Sequence, residues 1–188
     1  MRCAVFHGPA DLRIEDRPRP DLQHDDDVLL RVEAASICGT DLHILADPPG
    51  HPATAGAILG HEYVGEVVDA GDAVQDLRAG DRVVVDPNIT CGRCAYCRRG
   101  SPNLCLNMTT LGIFRDGGFA EHNVAPLRAL YPISKQAPLE QAIFAEPLSC
   151  VLNAFGQAGL RMGDSVVILG AGPIGLLFLL LMRAGGAG

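Results

Sequence analysis

At the centre of this sequence stands Gly60-His61-Glu62-Tyr63-Val64-Gly65-Glu66-Val67-Val68-Asp69-Ala70-Gly71. An imidazole and a carboxylate lie side by side here, at the start of an apolar segment. Residues 63–68 predict a strand and residues 69–72 a turn. His is the commonest metal ligand among protein side chains, so His61 and Glu62 are candidate ligands. A surface His–Glu pair on an ordinary strand is the simpler alternative.

Composition narrows the choice of function class. The chain has 188 residues, with 15 Lys+Arg against 22 Asp+Glu and a formal net charge of -7. An acidic protein is a poor partner for nucleic acid or for an anionic membrane surface. The first residues lack the apolar core of a signal peptide, and the apolar run 174–182 is too short to span a bilayer. We therefore expect a cytoplasmic protein with neither a nucleic-acid nor a membrane partner.

The cysteines indicate metal binding. Four thiols follow one another within a loop that has no apolar periodicity, and in a reducing compartment such a cluster favours metal over disulfides. Four thiolates suit a closed, structural zinc site, and an iron–sulfur cluster is the alternative. The predicted ligands are Cys91, Cys94, Cys97 and Cys105.

A second donor set is dispersed along the chain. Cys38-Gly39-Thr40-Asp41-Leu42-His43 is predicted to leave a strand and enter an irregular turn. Together with His61 and Glu62 it offers a thiolate, an imidazole and a carboxylate, which are the ligand types of catalytic zinc. Glu146 is an acid within an apolar segment, and buried carboxylates are rare unless paired or bound to metal. For Cys38 alone, a small buried hydrophobe is the alternative.

The order of predicted elements changes near Pro138. Before it, short strands alternate with frequent turns, which predicts a mostly β domain. After it, residues 139–155 carry helix formers interrupted at Pro147, residues 165–169 predict a buried strand, and residues 176–184 predict a helix. The predicted strands of the first part are 2–6, 12–15, 28–35, 81–86, 118–124 and 129–133.

A glycine-rich turn joins the last predicted strand and helix. Gly170-Ala171-Gly172-Pro173-Ile174-Gly175 would let a helix N-terminus approach a pyrophosphate. A tight strand–helix turn without ligand is the alternative. The predicted cofactor-binding residues are Gly170, Gly172, Pro173, Ile174 and Gly175.

In their order along the chain, these three motifs resemble those of the zinc-dependent medium-chain alcohol dehydrogenases. The resemblance implies a mixed α+β then α/β fold. A GroES-like, mostly β catalytic domain would occupy residues 1–147, and the first part of a Rossmann dinucleotide-binding domain would occupy residues 148–188. It also implies an oxidoreductase that transfers hydride between an alcohol and NAD or NADP, with two zinc ions per chain and a homo-oligomeric full-length form.

The resemblance also assigns residue roles. Cys38, His61, Glu62 and Glu146 would hold or adjoin the catalytic zinc, and Asp41 would orient His61. Thr40 and His43 would pass the alcohol proton to solvent. The sequence Glu146-Pro147-Leu148 resembles the polyol (sorbitol-type) and threonine dehydrogenase branches, so we expect a secondary alcohol or polyol as substrate. Cys150, one helical turn beyond Glu146, is the rival fourth ligand.

Three alternatives stay open at this stage. The chain could be a non-catalytic zinc-binding GroES-like module, a threonine- or butanediol-type dehydrogenase, or a relative of the zinc-free quinone reductases. The cysteine loop speaks against the quinone reductases, which lack it. The second donor set speaks against a purely structural module, which needs no open metal site.

Overall fold

The computed structural model describes residues 1–187. They form two compact units, Met1–Ile143 and the segment from Phe144 onward. The predicted domain boundary, between residues 147 and 148, stays a prediction. In the described part of the chain no helix has the length and apolar character needed to cross a bilayer.

The first unit consists mainly of short strands, and this part of the predicted fold class is confirmed. The strands are β1 (Arg2–Gly8), β2 (Asp11–Asp16), β3 (Asp27–Ser36), β4 (Glu62–Ala70), β5 (Arg82–Val85), β6 (Asn88–Ile89), β7 (Thr109–Thr110), β8 (His122–Pro126) and β9 (Leu130–Ile133). The helices are α1 (Gly39–Leu45), α2 (Ala95–Arg98), α3 (Leu139–Ala142), α4 (Ala145–Ala158) and α5 (Pro173–Ala184).

A five-stranded antiparallel sheet forms the centre of the first unit, in the order β8-β3-β4-β5-β9. Its strands are rich in β-branched residues, which suit a pleated and half-buried surface. Val28, Leu30, Val67 and Val83 pack into one buried cluster on the sheet. The hairpin β1-β2 and the small pair β6-β7 lie outside this sheet.

The register of β3 against β4 positions the candidate ligands. Ser36, the last residue of β3, lies opposite Glu62, the first residue of β4. Cys38 follows the end of β3 and His61 precedes the start of β4, so this register brings both to the same end of the strand pair. Two irregularities interrupt the ladder between Leu29 and Ala34.

Four glycines meet beside His61. The backbone N–H of Gly118 donates to the Gly60 carbonyl at 2.7 Å, so the two chain segments touch. A Cβ placed on Gly112 or on Gly117 would lie 2.2 Å from the Gly60 carbonyl oxygen. Such a distance is far inside van der Waals contact, so only glycine fits at these two positions.

The structure corrects two predictions of local structure. The segment after Cys38 is the helix α1 instead of an irregular turn. Pro147 does not interrupt its helix, because it lies in the first turn of α4. The N–H groups of a first turn have no partner within the helix, so proline is tolerated there. The helical stretch breaks earlier, between α3 and α4.

Two predicted strands also differ. Residues 165–169 form no strand, and Val167 and Leu169 are 84% and 94% exposed. A strand needs a hydrogen-bonding neighbour, and no strand within residues 1–187 pairs with this segment. Of the predicted strand 118–124, only the part from His122 onward belongs to the sheet. Its first residues run along residues 58–60 instead, where Phe119 donates to the Leu59 carbonyl at 2.9 Å.

Candidate functional site

The end of β3 and the start of α1 place Cys38. This residue is the N-cap of α1, with extended backbone angles. Its N–H donates to the Asp41 carboxylate, Oδ2, at 2.9 Å, and the Asp41 N–H donates to the Cys38 carbonyl at 3.1 Å. This reciprocal pair is a helix-capping arrangement and fixes the backbone that carries the thiol.

Asp41 also faces His61. Asp41 Oδ1 and His61 Nδ1 are 3.5 Å apart, and the two residues are 2% and 5% exposed. Neither atom has a hydrogen-bond partner within the described residues. Although 3.5 Å is long for a hydrogen bond, Nδ1 is the ring nitrogen that lies within ion-pair distance of the carboxylate. Nε2 is therefore the ring nitrogen left for a metal.

Cys38, His61 and Glu62 come together as a donor trio. One donor atom from each lies within 4.8 Å of the others. His61 and Glu62 are buried, and the Ser36 hydroxyl donates to Glu62 Oε2. Thiolate, imidazole and carboxylate converging on one point is a donor set that suits zinc with one position open.

The electrostatics of the trio favour a bound cation. Burial lowers the pKa of His61, but Asp41 and Cys38 outweigh burial and raise that pKa to about 10. A positive charge on the His61 ring is therefore favoured beside these two residues. A divalent metal would supply that charge in place of the proton, so the residues present fit a zinc ion.

Two further predicted residues lie on α1. Thr40 Oγ1 is 3.7 Å from Cys38 Sγ, which places its hydroxyl at the edge of the trio. His43 is exposed, and its Nδ1 lies 3.2 Å from the point that a Cβ added to Gly50 would occupy. The structure thus puts Thr40 beside the candidate ligands and His43 at the surface.

Cys91, Cys94, Cys97 and Cys105 form a second cluster, and their sulfurs lie within 4.8 Å of one another. All four are free thiols. The N–H groups of Arg93 and Cys94 lower the pKa of Cys91 to about 6. Desolvation, followed by hydrogen bonds with Cys94 and Cys105, raises the pKa of Cys97 to about 11. Thiols this close together shift one another's pKa values. Such a site fits a zinc ion, because one shared cation takes the place of the thiol protons.

The glycine turn belongs to the second unit. Gly172 is the N-cap of α5 and Pro173 its first residue, where a proline loses no helical hydrogen bond. A Cβ on Gly175 would lie 2.0 Å from the Gly170 carbonyl, so the turn is closed by close backbone contact. Ile174 is 45% exposed. The turn presents the N-terminus of a 12-residue helix, the feature that binds phosphate in nucleotide folds.

Glu146 and Cys150 also lie in the second unit, both on α4. Glu146 is in the first turn of that helix, and Cys150 is exposed. The assignment of Glu146 as fourth ligand, with Cys150 as rival, stays a prediction.

Two residues that contact the candidate sites, Ser36 and Asn107, were not predicted from the sequence. Ser36 contacts Glu62 through the register of β3 and β4. Asn107 contacts two cysteine sulfurs: its N–H lies 3.4 Å from Cys105 Sγ, and its Nδ2 lies 3.8 Å from Cys91 Sγ. Neither residue belongs to a sequence motif. The strand register identifies Ser36, and the path of the cysteine loop identifies Asn107.

Comparison with known proteins identifies the family of this chain. The model of the alcohol dehydrogenase GroES-like domain matches residues 24–135. The chain therefore belongs to the alcohol dehydrogenase family, and its resemblance to the zinc-dependent medium-chain enzymes is confirmed.

Two of the relatives are dehydrogenases named for a polyol and for an amino acid. The chain is 36% identical to the sorbitol dehydrogenase of Bacillus subtilis (strain 168), over 100% of the chain and 54% of that protein. It is 40% identical to the L-threonine 3-dehydrogenase of Pyrococcus abyssi, over 100% of the chain and 53% of that protein. The chain thus spans about half the length of these relatives.

A solved structure shows the same fold. It is that of a protein from Sinorhizobium meliloti 1021 described as a zinc-binding dehydrogenase bound to NADP. Its TM-score is 0.94 at 41% identity, and the match covers 99% of this chain and 54% of that one.

Proposed function

We propose that the protein to which this chain belongs is a zinc-dependent oxidoreductase, which transfers hydride between an alcohol and NAD or NADP. The observation that carries this proposal is the trio of half-buried Cys38 and buried His61 and Glu62 within a GroES-like domain. A purely structural zinc module would need only the four-cysteine cluster. The named activities of the relatives support the same reading.

Each residue has a proposed role at the reacting alcohol. Zinc at the trio would supply Lewis acidity, which lowers the pKa of a hydroxyl. Cys38, His61 and Glu62 would hold the metal, with Glu146 as fourth ligand either directly or through water. Thr40, beside Cys38, would accept the alcohol proton, and the exposed His43 would release it to solvent. The four-cysteine cluster would hold a second, structural zinc.

The cofactor would bind at the glycine turn. Gly170, Gly172 and Gly175 let the chain pass close to a pyrophosphate, and Pro173 and Ile174 begin the helix whose N-terminus faces it. The cofactor carries the redox chemistry, and the protein holds its reactive carbon against that of the alcohol.

We propose a polyol or another secondary alcohol as substrate, because Glu146-Pro147-Leu148 resembles the polyol branch and because a sorbitol dehydrogenase is among the relatives. The threonine dehydrogenase relative makes threonine the second candidate. We further propose a homo-oligomer in the cytoplasm, without nucleic-acid or membrane partners. The clustered cysteines support a reducing compartment, and the acidic composition supports the lack of nucleic-acid and membrane partners.

The test is an activity panel on the full-length protein with metal analysis. NAD and NADP are each assayed with polyols, threonine and simple alcohols, and zinc is counted per chain. We expect two zinc ions and turnover of a secondary alcohol. His61→Ala should abolish turnover and remove one zinc, whereas His24→Ala, an exposed histidine, should change neither. X-ray absorption that shows iron, or a wild-type protein with one zinc, would contradict the proposal.

A further inference from the structure

Glu62 has an unusual environment for a carboxylate. It is only 7% exposed, and burying a charged group is costly unless it is paired or hydrogen-bonded. The Ser36 hydroxyl, on the neighbouring strand, donates to its Oε2. Oε1 is therefore the oxygen that this hydroxyl leaves available to another partner.

The strand register makes this contact part of the ladder. Ser36 and Glu62 are direct cross-strand partners at the last position where β3 and β4 pair. Facing side chains in an antiparallel pair lie close enough to contact without any movement of the backbone. Cys38 is two residues beyond Ser36, and His61 directly precedes Glu62. The contact thus joins the two segments that carry the donor trio.

We propose that Ser36 is a positioning residue of the metal centre. Its hydroxyl holds the Glu62 carboxylate in one rotamer, so that Oε1 is presented to the metal and Glu62 stays within reach of the ion. This inference rests on the proposed function, since it needs a metal at the trio. It adds a specific determinant of how firmly the trio retains that metal.

The physical basis is the mobility of a carboxylate on a two-carbon stem. A free Glu side chain populates several rotamers, and fixing it on a ligand has an entropic cost. A hydrogen bond to the second oxygen removes part of that freedom before the metal arrives. Hydrogen bonds from outer partners to metal-binding side chains change metal affinity by about 10- to 100-fold in other sites.

The test measures how fast three variants lose zinc to a chelator that changes colour when it binds the metal. Ser36→Ala should speed release from the trio by about tenfold, the low end of the range for such partners, and leave the four-cysteine site unchanged. Ser36→Thr keeps a hydroxyl in a strand-compatible side chain and should restore slow release. Ser134→Ala, whose hydroxyl contacts Gln136 at the surface, is the matched control and should behave like wild type. Cobalt substitution gives a second readout, since the visible spectrum of Ser36→Ala should shift.

A double-mutant cycle tests whether Ser36 acts through Glu62. In a Glu62→Ala background, which removes the hydrogen-bond acceptor, Ser36→Ala should cause no further change in release rate. Equal release by Ser36→Ala and wild type, or an undiminished effect without Glu62, would overturn the role of Ser36 and leave the proposed function intact. A wild-type protein with zinc only at the four cysteines would overturn both, and metal analysis identifies that case.

Discussion

Asn107 is the residue at which a single side chain should control the four-cysteine site. It donates to two of the four sulfurs, from its backbone N–H and from its side-chain amide. N–H donors stabilise thiolates, and substitution of Asn107 removes the side-chain donor to Cys91 while the backbone donor to Cys105 stays, so the metal should be held less firmly. We expect Asn107→Leu to release this zinc several-fold faster, measured with a chelator. Asn103→Leu, an exposed asparagine of the same loop, should release it at the wild-type rate. Equal rates for the two variants would contradict this role.

Asp41 combines two tasks, capping α1 at Cys38 and facing His61. Asp41→Asn keeps the size of the side chain but removes the charge. Because an anionic partner fixes the ring and raises its basicity as a ligand, we expect zinc affinity at the trio to fall by about 10- to 100-fold. Competition with a chelator measures it. Asp76→Asn, at an exposed position, is the control, and an unchanged affinity in Asp41→Asn would contradict the role.

The donor residues could be predicted from the sequence, but the residues that support them could not. Cysteine spacing and the adjoining His61 and Glu62 are local patterns with few structural interpretations. Ser36 contacts Glu62 across 26 residues of chain. A one-residue change of register would separate them, and nothing in the sequence alone states the register.

The cysteine loop is an element that depends on its metal. Residues 87–108 contain only a short strand, a four-residue helix and a 3-10 turn, and Ile89 is the one buried hydrophobic residue among them. A segment with so little core needs a staple. We expect Cys94→Ser to lower the thermal unfolding midpoint and to promote aggregation. Calorimetry measures the midpoint, and light scattering measures the aggregation.

His61→Ala provides the comparison for that experiment. It removes a ligand from the trio, whose residues lie at one end of the well-packed β3–β4 pair. We expect it to lose the zinc of the trio while its unfolding transition stays close to that of wild type. A Cys94→Ser protein as stable as His61→Ala would show that the loop does not depend on its metal.

The elements that sequence patterns predicted poorly are those that depend on partners. Residues 165–169 have the composition of a buried strand, yet Leu169 is 94% exposed because no strand of the described chain pairs with it. Pro147 was expected to break a helix, but its position within the first turn decides the outcome. In contrast, β3 and β4 lie within a residue or two of their predicted bounds, because apolar residues recur along most of each strand.

At the scale of the whole molecule, we expect residues 1–188 alone to bind two zinc ions without oxidising alcohols. The chain spans about half the length of its relatives, and a dinucleotide needs neighbouring strands beyond its glycine turn. A loosely held cofactor forfeits the roughly 7–11 kcal/mol that positioning contributes to a reaction. Zinc analysis and calorimetric titration with NAD and NADP test this. Micromolar cofactor binding, or measurable turnover, would contradict it.

The class of the molecule was easier to predict than its details. Three motifs in a fixed order identified the family, and the matched domain at residues 24–135 agrees. The substrate depends on side chains gathered from distant segments, so no local pattern names it.

The close approach of Gly112 and Gly117 to the Gly60 carbonyl, beside His61, has a consequence for mutational libraries. Every single-base change in a glycine codon that alters the amino acid introduces a Cβ or stops translation. At Gly112 and Gly117 that atom would lie 2.2 Å from the Gly60 carbonyl oxygen. In a saturation library selected for folded protein, both codons should therefore retain only synonymous variants. The absence of amino-acid changes at these two positions would thus point to the metal centre, although neither residue bears a functional group.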